Sequence, residues 1–166
     1  MKKITTLVLI IIFFTNCNVS KIASQTKQDT ALQTEDYAGV YSYKNGGIGY
    51  VTIFAETDNT VLFHICINIG PKSYNSGETY GRILIKDGKS TFTSPDYTNC
   101  KWELNIIGDT LKITTIDDNF SCGFGYSVTA DGTYTRSDKT KPEFFEDRLG
   151  QKIYFSKTSP EDYYKK

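Results

Sequence analysis

The sequence predicts an all-β domain, an antiparallel meandering β-barrel or flattened sandwich of about eight or nine strands with one short C-terminal helix. Three observations predict it. The chain has 12 Tyr and 10 Phe against a single Met, and aromatic and β-branched side chains suit a half-buried pleated surface better than a helix. Apolar and polar residues alternate along many short segments. Gly, Asn and Asp separate these segments at short intervals, as they do in sandwiches and barrels.

Nine segments are predicted to form the strands. The clearest is residues 60–69, in which the odd-numbered positions are all apolar and the even-numbered ones include His64 and Cys66. One apolar face per strand must close against a second sheet or the far side of a barrel. Because a barrel of about eight strands is only just wide enough for side chains, we expect a packed interior. The predicted strands are residues 37–43, 48–55, 60–69, 80–86, 89–94, 100–107, 110–116, 126–130 and 132–136.

Dipeptides that contain Gly predict the turns between strands. Gly108-Asp109 suits a two-residue type II′ hairpin, because Gly stands at its first central position. Asp87-Gly88 supplies a second hairpin turn, and Asp131-Gly132 a third, between residues 128 and 134.

The region after the strands predicts one helix. Thr140 and Glu143 have the spacing of a capping box, Pro142 stands in the first turn, and Gly150 stands where a C-cap is expected. We therefore expect a helix over residues 141–149. Its barrel-facing side chains would be Phe144, Phe145 and Leu149.

The N-terminus has the layout of a bacterial export signal. Two lysines precede the apolar stretch 4–14, and Cys17 follows three residues later. About ten apolar residues are fewer than the roughly 20 that a membrane-spanning helix needs, so we expect no transmembrane helix in the mature chain. The position of Cys17 resembles the lipobox of bacterial lipoproteins, although Asn16 stands where a smaller residue is usual. The alternative is ordinary secretion with cleavage near Ala23 and Ser24.

This address and the strand pattern divide the chain. We predict a lipoprotein-type signal peptide at 1–17, a flexible tether at 18–35, a β-barrel domain at 36–156 and a polar tail, or one helical turn, at 157–166. A short strand at 151–155 would close the domain. The tether is rich in Ser, Thr, Gln and Lys and has little to bury.

Net charge and the N-terminal export signal indicate the protein's location and its class of partner. The 19 basic and 19 acidic residues cancel, so no strong field draws nucleic acid to the domain, and we expect no nucleic-acid partner. We expect the protein at the cell envelope, in the outer membrane or periplasm, held to the membrane by a lipid on Cys17. Without that lipid it would be secreted.

The cysteines predict one disulfide bond. Oxidising exported compartments favour such bonds, and Cys100 and Cys122 flank the hairpin that turns at Gly108. We predict a bridge between them, closing a loop of about 20 residues worth roughly 3 kcal/mol. Cys66 is left over, and we interpret it as a small side chain in a strand, the alternative being a reactive thiol beside His64.

The chain offers few groups for catalysis. His64 is the single histidine, so a His-rich zinc site is impossible and a Ser-His-Asp site would depend on it alone. Its place in a regular strand indicates a packing or surface residue instead. Asp117-Asp118 lacks calcium-loop spacing, and the sequence has no Walker or dinucleotide-binding motif. We therefore predict that the protein is not an enzyme and has neither a cofactor nor a metal.

Several short motifs stand in the middle of the chain. They are Cys100-x-Trp102-x-Leu104, the segment Cys122 to Gly125, Gly132-Thr133-Tyr134 and the opening residues 36–41. Together they resemble poorly characterised exported β-domains of Gram-negative bacteria, many of them lipoproteins of Bacteroidota. The resemblance covers about residues 37–136 and implies no known activity. Weaker likenesses are to lipocalin-like barrels and periplasmic lysozyme inhibitors, and neither transfers a functional residue.

We expect a non-catalytic binding domain that recognises an envelope or host protein, or a small ligand. Tyr supplies contact area at a low entropic cost, and we expect recognition by loops at one open end, near 45–49, 71–79 and 121–125. The candidate contact residues are Tyr43, Tyr50, Tyr74, Tyr80 and Phe124.

Besides a purely structural role in the envelope without a ligand pocket, two other functions stay open. One is a glycan-acting enzyme that uses Asp117, Asp118 or Glu103 as acid and base, which would require two carboxylates about 5 to 9 Å apart. The other is a carrier of a small apolar ligand of the lipocalin type, which would require a hollow barrel.

Overall fold

The domain is built from strands, as the sequence predicts. A computed structural model describes residues 34–44, 47–56, 59–71, 74–116 and 122–165. The predicted signal segment, Cys17 and nearly all of the predicted tether lie outside these residues. After a 3-10 turn at Thr34–Tyr37, the elements are β1 Gly39–Lys44, β2 Gly47–Ala55, β3 Thr60–Ile69, β4 Ser76–Leu84, β5 Lys89–Thr93, β6 Lys101–Ile107, β7 Thr110–Thr115, β8 Gly132–Asp138, β9 Phe144–Glu146, β10 Lys152–Tyr154 and α1 Pro160–Tyr163.

Eight of the strands form one antiparallel sheet that is nearly closed into a barrel. Their order is β4-β3-β2-β1-β8-β7-β6-β5, so two four-stranded meanders join through β1 and β8. The two edge strands, β4 and β5, face each other across the remaining seam. Within the described ranges no helix is long and apolar enough to cross a membrane.

Side chains occupy the inner face of this sheet and pack against one another. The largest is Trp102, which lies beside Phe92 with ring centroids 5.7 Å apart. Tyr41 and Tyr134 are also fully buried, and each donates its hydroxyl to the carbonyl of the fourth residue upstream, at 2.9 and 2.8 Å. Buried phenols need such partners. The other fully buried inner side chains include Val51, Ile53, Phe63, Ile65, Leu104, Leu111 and Ile113.

Two of the three predicted hairpin turns are confirmed. Gly108 has a φ of 56° between paired Ile107 and Thr110, whereas its neighbour Asp109 has no positive φ, as a type II′ turn requires. At the other turn Asp87 and Gly88 have φ values of 51° and 76°, the pattern of a type I′ turn.

The predicted strand at 126–130, with its turn at Asp131-Gly132, is wrong. Val128 and Ala130 are buried around an exposed Thr129, so the alternation exists. However, Ser127 has a φ of 63°, and the Val128 amide donates to the Gly125 carbonyl in a turn. Both edges of β7 are already paired, with β6 and β8. The segment pairs with no strand among the residues that the structure describes, and Gly132 begins β8 itself.

The predicted helix at 141–149 is also wrong, whereas the short strand near 151–155 is confirmed as β10. β9 and β10 form an antiparallel hairpin, and Asp147 holds its turn by accepting the amides of Leu149 and Gln151 at 2.9 and 2.8 Å. A capping residue contributes about 1 kcal/mol, whereas burial of a Phe side chain contributes roughly 1.5 to 3 kcal/mol. The hairpin buries Phe145, and this outweighs the capping pattern.

The C-terminal hairpin and α1 cover the outer face of β2, β3 and β4. Tyr80 is the central residue there, since its hydroxyl donates to the Thr158 carbonyl at 2.8 Å and its amide donates to the Tyr164 hydroxyl at 2.9 Å. The predicted C-terminal tail is therefore one helical turn with packed aromatic residues. The second apolar cluster consists of Leu62, Tyr80, Phe145, Ile153 and Phe155, with Phe54 and Tyr163 against it.

Candidate recognition surface

The topology gathers the predicted recognition loops at one end of the barrel. In an up-and-down meander alternate connections share an end, so the connections β1–β2, β3–β4, β5–β6 and β7–β8 lie together. We call this the loop end. It contains the three predicted loops near 45–49, 71–79 and 121–125, although residues 45–46, 72–73 and 117–121 lie outside the described ranges.

The predicted disulfide bond crosses the loop end. The sulfur atoms of Cys100 and Cys122 are 2.07 Å apart and their Cα atoms 4.8 Å apart, and both side chains are buried. The bond ties the β7–β8 connection to the residue that precedes β6. It therefore fixes the loop that begins at Cys122.

Two exposed tyrosines lie on loops that are bonded to each other. The Gly125 amide donates to the Ser76 carbonyl at 2.9 Å, and Asn75 Nδ2 donates to the Tyr126 carbonyl at 2.8 Å. Tyr74 is 78 % exposed and Tyr126 is 82 % exposed. We call these two residues the tyrosine patch.

The backbone beside the patch adopts a conformation that is uncommon outside glycine. Tyr74 has a φ of 51° and Ser127 a φ of 63°. Such residues cost about 1 to 3 kcal/mol each and cluster at functional sites. The loops are therefore held in an unfavourable backbone geometry while their large aromatic side chains remain in solvent.

Phe124 lies inside the loop end rather than at the tip of its loop. Its half-buried ring is 5.5 Å from Trp102, and it stands over Gly77 of β4, where any side chain would overlap it. Phe124 thus anchors the loop that carries Tyr126 and is not itself displayed.

The other predicted contact residues are scattered. Tyr43 is half-buried and packs on Tyr134 with centroids 5.1 Å apart. Tyr50 is exposed on the outer face of β2, and Tyr80 is fully buried beneath the C-terminal hairpin. Tyr80 is therefore unavailable for contact. The sequence reasoning missed Tyr126, although its position directly after the Gly123 to Gly125 segment was a usable signal.

His64 is a buried packing residue, as its strand position indicates. It is 3 % exposed, and Phe145 stacks on it with ring centroids 3.8 Å apart. Its Nε2 atom is 2.8 Å from Glu78 Oε1, and Arg148 Nε is 3.3 Å from Glu78 Oε2. Glu78 thus joins the barrel wall to the C-terminal hairpin.

Cys66 lies on the same outer face and forms no disulfide. Burial, reinforced by the negative charge of Glu78, raises the pKa of its thiol, although Asn68 and Arg148 act in the opposite direction. A raised pKa keeps the thiol protonated near neutral pH, so Cys66 lacks the activation of a nucleophile. Tyr50, His64 and Cys66 share a cleft of about 390 Å³ beside the C-terminal hairpin.

A second and larger cleft lies where the C-terminal segment meets the seam between β4 and β5. Its volume is about 520 Å³. We call it the seam cleft. It is bounded by β4, the loop after β5, the turn of the C-terminal hairpin and the residues that end α1. Its charged and aromatic lining residues are Glu78, Asp96, Asp147 and Arg148, with Tyr97, Tyr163 and Tyr164.

Of the carboxylates that the sequence offered for glycan cleavage, only Glu103 lies among the described residues. Glu103 lies exposed on the outer face of β6, and Asp117 and Asp118 lie outside the described residues. Among the residues whose placement is given, no three His, Cys, Asp or Glu side chains are grouped to hold a metal.

Comparison with known proteins adds no function to this geometry. No protein-family model, curated protein or solved structure matches the chain. The loop end and the two clefts are therefore the basis for a functional proposal.

Proposed function

We propose that this chain is a non-catalytic binding domain of the bacterial cell envelope, which recognises a protein partner through its loop end. The tyrosine patch carries the proposal. Tyr74 and Tyr126 are among the most exposed large side chains of the domain, and hydrogen bonds between their loops hold them at the same end of the barrel. Tyr is enriched among the residues that dominate binding energy at protein interfaces.

Several restraints prepare the patch for binding. The disulfide bond fixes one end of the loop that carries Tyr126, and Phe124 packs that loop against Trp102. A loop that is already ordered loses less entropy on association, so its contacts yield more affinity. The backbone strain at Tyr74 and Ser127 fits this interpretation, because it persists only where the surroundings impose it.

A protein partner is favoured over a small apolar ligand. A carrier of the lipocalin type needs a hollow barrel, whereas Trp102, Tyr41 and Tyr134 are among the side chains that pack into this interior. The tyrosine patch faces outward at the loop end, which suits contact with another surface.

We also propose that the protein is exported and is held to the membrane by a lipid on Cys17. The lysine-apolar-cysteine layout of residues 2–17 supports this, and a disulfide bond is more common in oxidising, exported compartments than in the cytosol. Metabolic labelling with a fatty acid in the native host is expected to mark the full-length protein and not Cys17→Ser. Equal labelling of the two would contradict the anchor.

Capture from envelope extract tests the recognition surface. The double variant Tyr74→Ala/Tyr126→Ala is expected to retain the fold and to lose at least about tenfold in captured partner, since a single lost contact of roughly 2 kcal/mol already lowers affinity by more than that. Ile107→Ala is the matched control, because Ile107 is 71 % exposed beside the opposite turn. Undiminished capture by the double variant would contradict the proposal.

A further inference from the structure

The seam cleft is separate from the tyrosine patch and has a chemistry of its own. Its volume of about 520 Å³ lies within the roughly 300 to 1,000 Å³ of small-molecule sites. Its walls come from distant parts of the chain, namely β4, the loop after β5, Cys122 and Gly123, and the C-terminal segment.

The cleft carries net negative charge. Three carboxylates and one guanidinium line it, which leaves a formal charge of minus two. Glu78 is already bonded to His64 and Arg148. Asp147 uses Oδ1 to accept two backbone amides of its own turn. Asp96 is exposed, and no hydrogen bond or ion pair joins its carboxylate to any residue in the described part of the chain.

Three tyrosines contribute to the wall of the cleft. Tyr163 and Tyr164 come from the end of α1 and stand edge to face with centroids 5.2 Å apart. Tyr97 packs on Gly123 beside the disulfide bond. The negative face of an aromatic ring attracts a cation within about 6 Å of its centroid. The carboxylates and the aromatic rings of the cleft therefore both favour a positively charged ligand.

Burial and the carboxylates of the cleft both raise the pKa values of two of its tyrosine hydroxyls. Burial raises the pKa of Tyr163, and the charges of Glu78 and Asp147 raise it further. Burial also raises the pKa of Tyr164, and Asp96 and Glu78 add to it, against the opposing hydrogen bond from the Tyr80 amide. Each phenol resists becoming a further anion among these carboxylates.

We propose that the seam cleft binds a protonated primary amine, with Asp96 as its ion-pair partner and the tyrosine rings as its walls. An anion is disfavoured by the net charge, and a purely apolar ligand would leave the Asp96 carboxylate desolvated without a partner. The amine has two sources, a free alkylamine or the lysine side chain of a protein. The proposal does not depend on the tyrosine patch and stands if that surface binds nothing.

Titration of the folded protein followed by amide NMR tests the site. The probes are n-butylammonium, acetyl-Gly-Lys-Gly-amide and the same peptide with norleucine in place of lysine. Binding is expected to shift the amides of Gly123 and Gln151, which line the cleft. A response to butylammonium identifies the amine alone as sufficient, whereas a response to the lysine peptide alone identifies a protein side chain, and either supports the proposal.

Two substitutions distinguish amine binding in the cleft from attraction of the amine by the negative surface charge in general. Asp96→Asn is expected to weaken amine binding about fivefold, the effect of removing one partially solvated charge pair. Glu103→Gln makes the same charge change on the outer face of β6 and is expected to have no effect. No response to either amine, equal binding of the norleucine peptide, or equal losses in the two variants would overturn the proposal.

Discussion

The ring of Phe124 occupies the space in which a side chain at Gly77 would stand. Gly77 belongs to the edge strand β4, and Phe124 belongs to the β7–β8 connection, two residues after the bridged Cys122. The pair therefore closes the loop end over Trp102, whose ring is 5.5 Å from that of Phe124. A residue with no side chain in the strand thus determines where the recognition loop rests.

Gly77→Ala is expected to lower the free energy of unfolding by about 1 to 3 kcal/mol, because the added methyl group displaces the Phe124 ring. Urea denaturation measures it. Gly70→Ala is the control, since no atom lies within 4 Å of a Cβ there. The double variant Gly77→Ala/Phe124→Ala is expected to be less destabilised than the sum of the two single changes. Equal effects of Gly77→Ala and Gly70→Ala would contradict the packing described.

Removal of the disulfide bond is expected to cost about 3 kcal/mol, since the bridged cysteines are 22 residues apart. The test is urea denaturation of Cys100→Ser/Cys122→Ser. Cys66→Ser keeps the bond and provides the control for a cysteine replacement. If the double variant is as stable as the control, the bond does not restrain the loop end as we infer.

Glu78 is 7 % exposed and bonds both His64 and Arg148. Glu78→Ala is expected to destabilise the fold by about 1 to 3 kcal/mol, because it leaves buried His64 without a partner. Glu78→Gln keeps an acceptor and is expected to cost less. Arg148→Ala is expected to cost under about 1 kcal/mol, because that side chain is exposed. Thermal unfolding followed by circular dichroism ranks the stabilities of the three variants. A different order would contradict the role of Glu78 as the partner of buried His64.

Alkaline pH is expected to destabilise the fold through its buried phenols. Burial raises the pKa of Tyr80 and Tyr134 far above the ordinary value of 10.0. The folded state favours the neutral phenol. The contribution of these phenols to the free energy of unfolding is therefore complete below a pH of about 10 and is lost as the pH rises further. Ultraviolet absorbance of tyrosinate is expected to show part of the 12 tyrosines ionising only on unfolding. Ionisation of all of them near their ordinary pKa in the folded state would contradict this.

The barrel could be predicted because its strands carry their own signal. Alternation locates β2, β3 and β5 to β7 to within a residue or two, and the hairpin glycines locate two turns. The first half of β4 was missed, since Ser76 to Thr79 is polar and contains Gly77. The Phe124 ring fills the place of a side chain at Gly77, and a pattern read over a few neighbouring residues cannot include a residue so distant in sequence.

The errors have a common physical cause. The segment at 126–130 alternates like a strand but pairs with no strand in the described part of the chain, and 141–149 has helix caps but is more stable when Phe145 is buried. Both outcomes depend on partners far away in sequence. The same holds for the candidate sites, because loop position favoured Tyr74 and Tyr80 equally while only the fold separates exposed Tyr74 from buried Tyr80.

Photo-crosslinking in the native envelope tests the central claim most directly. Benzoylphenylalanine placed at Tyr74 or Tyr126 in the full-length protein is expected to trap the same partner, since both residues belong to one patch. The probe at Ile107, beside the opposite turn, is expected to trap none of it. An adduct of that partner from Ile107, or none from either tyrosine, would contradict recognition through the loop end.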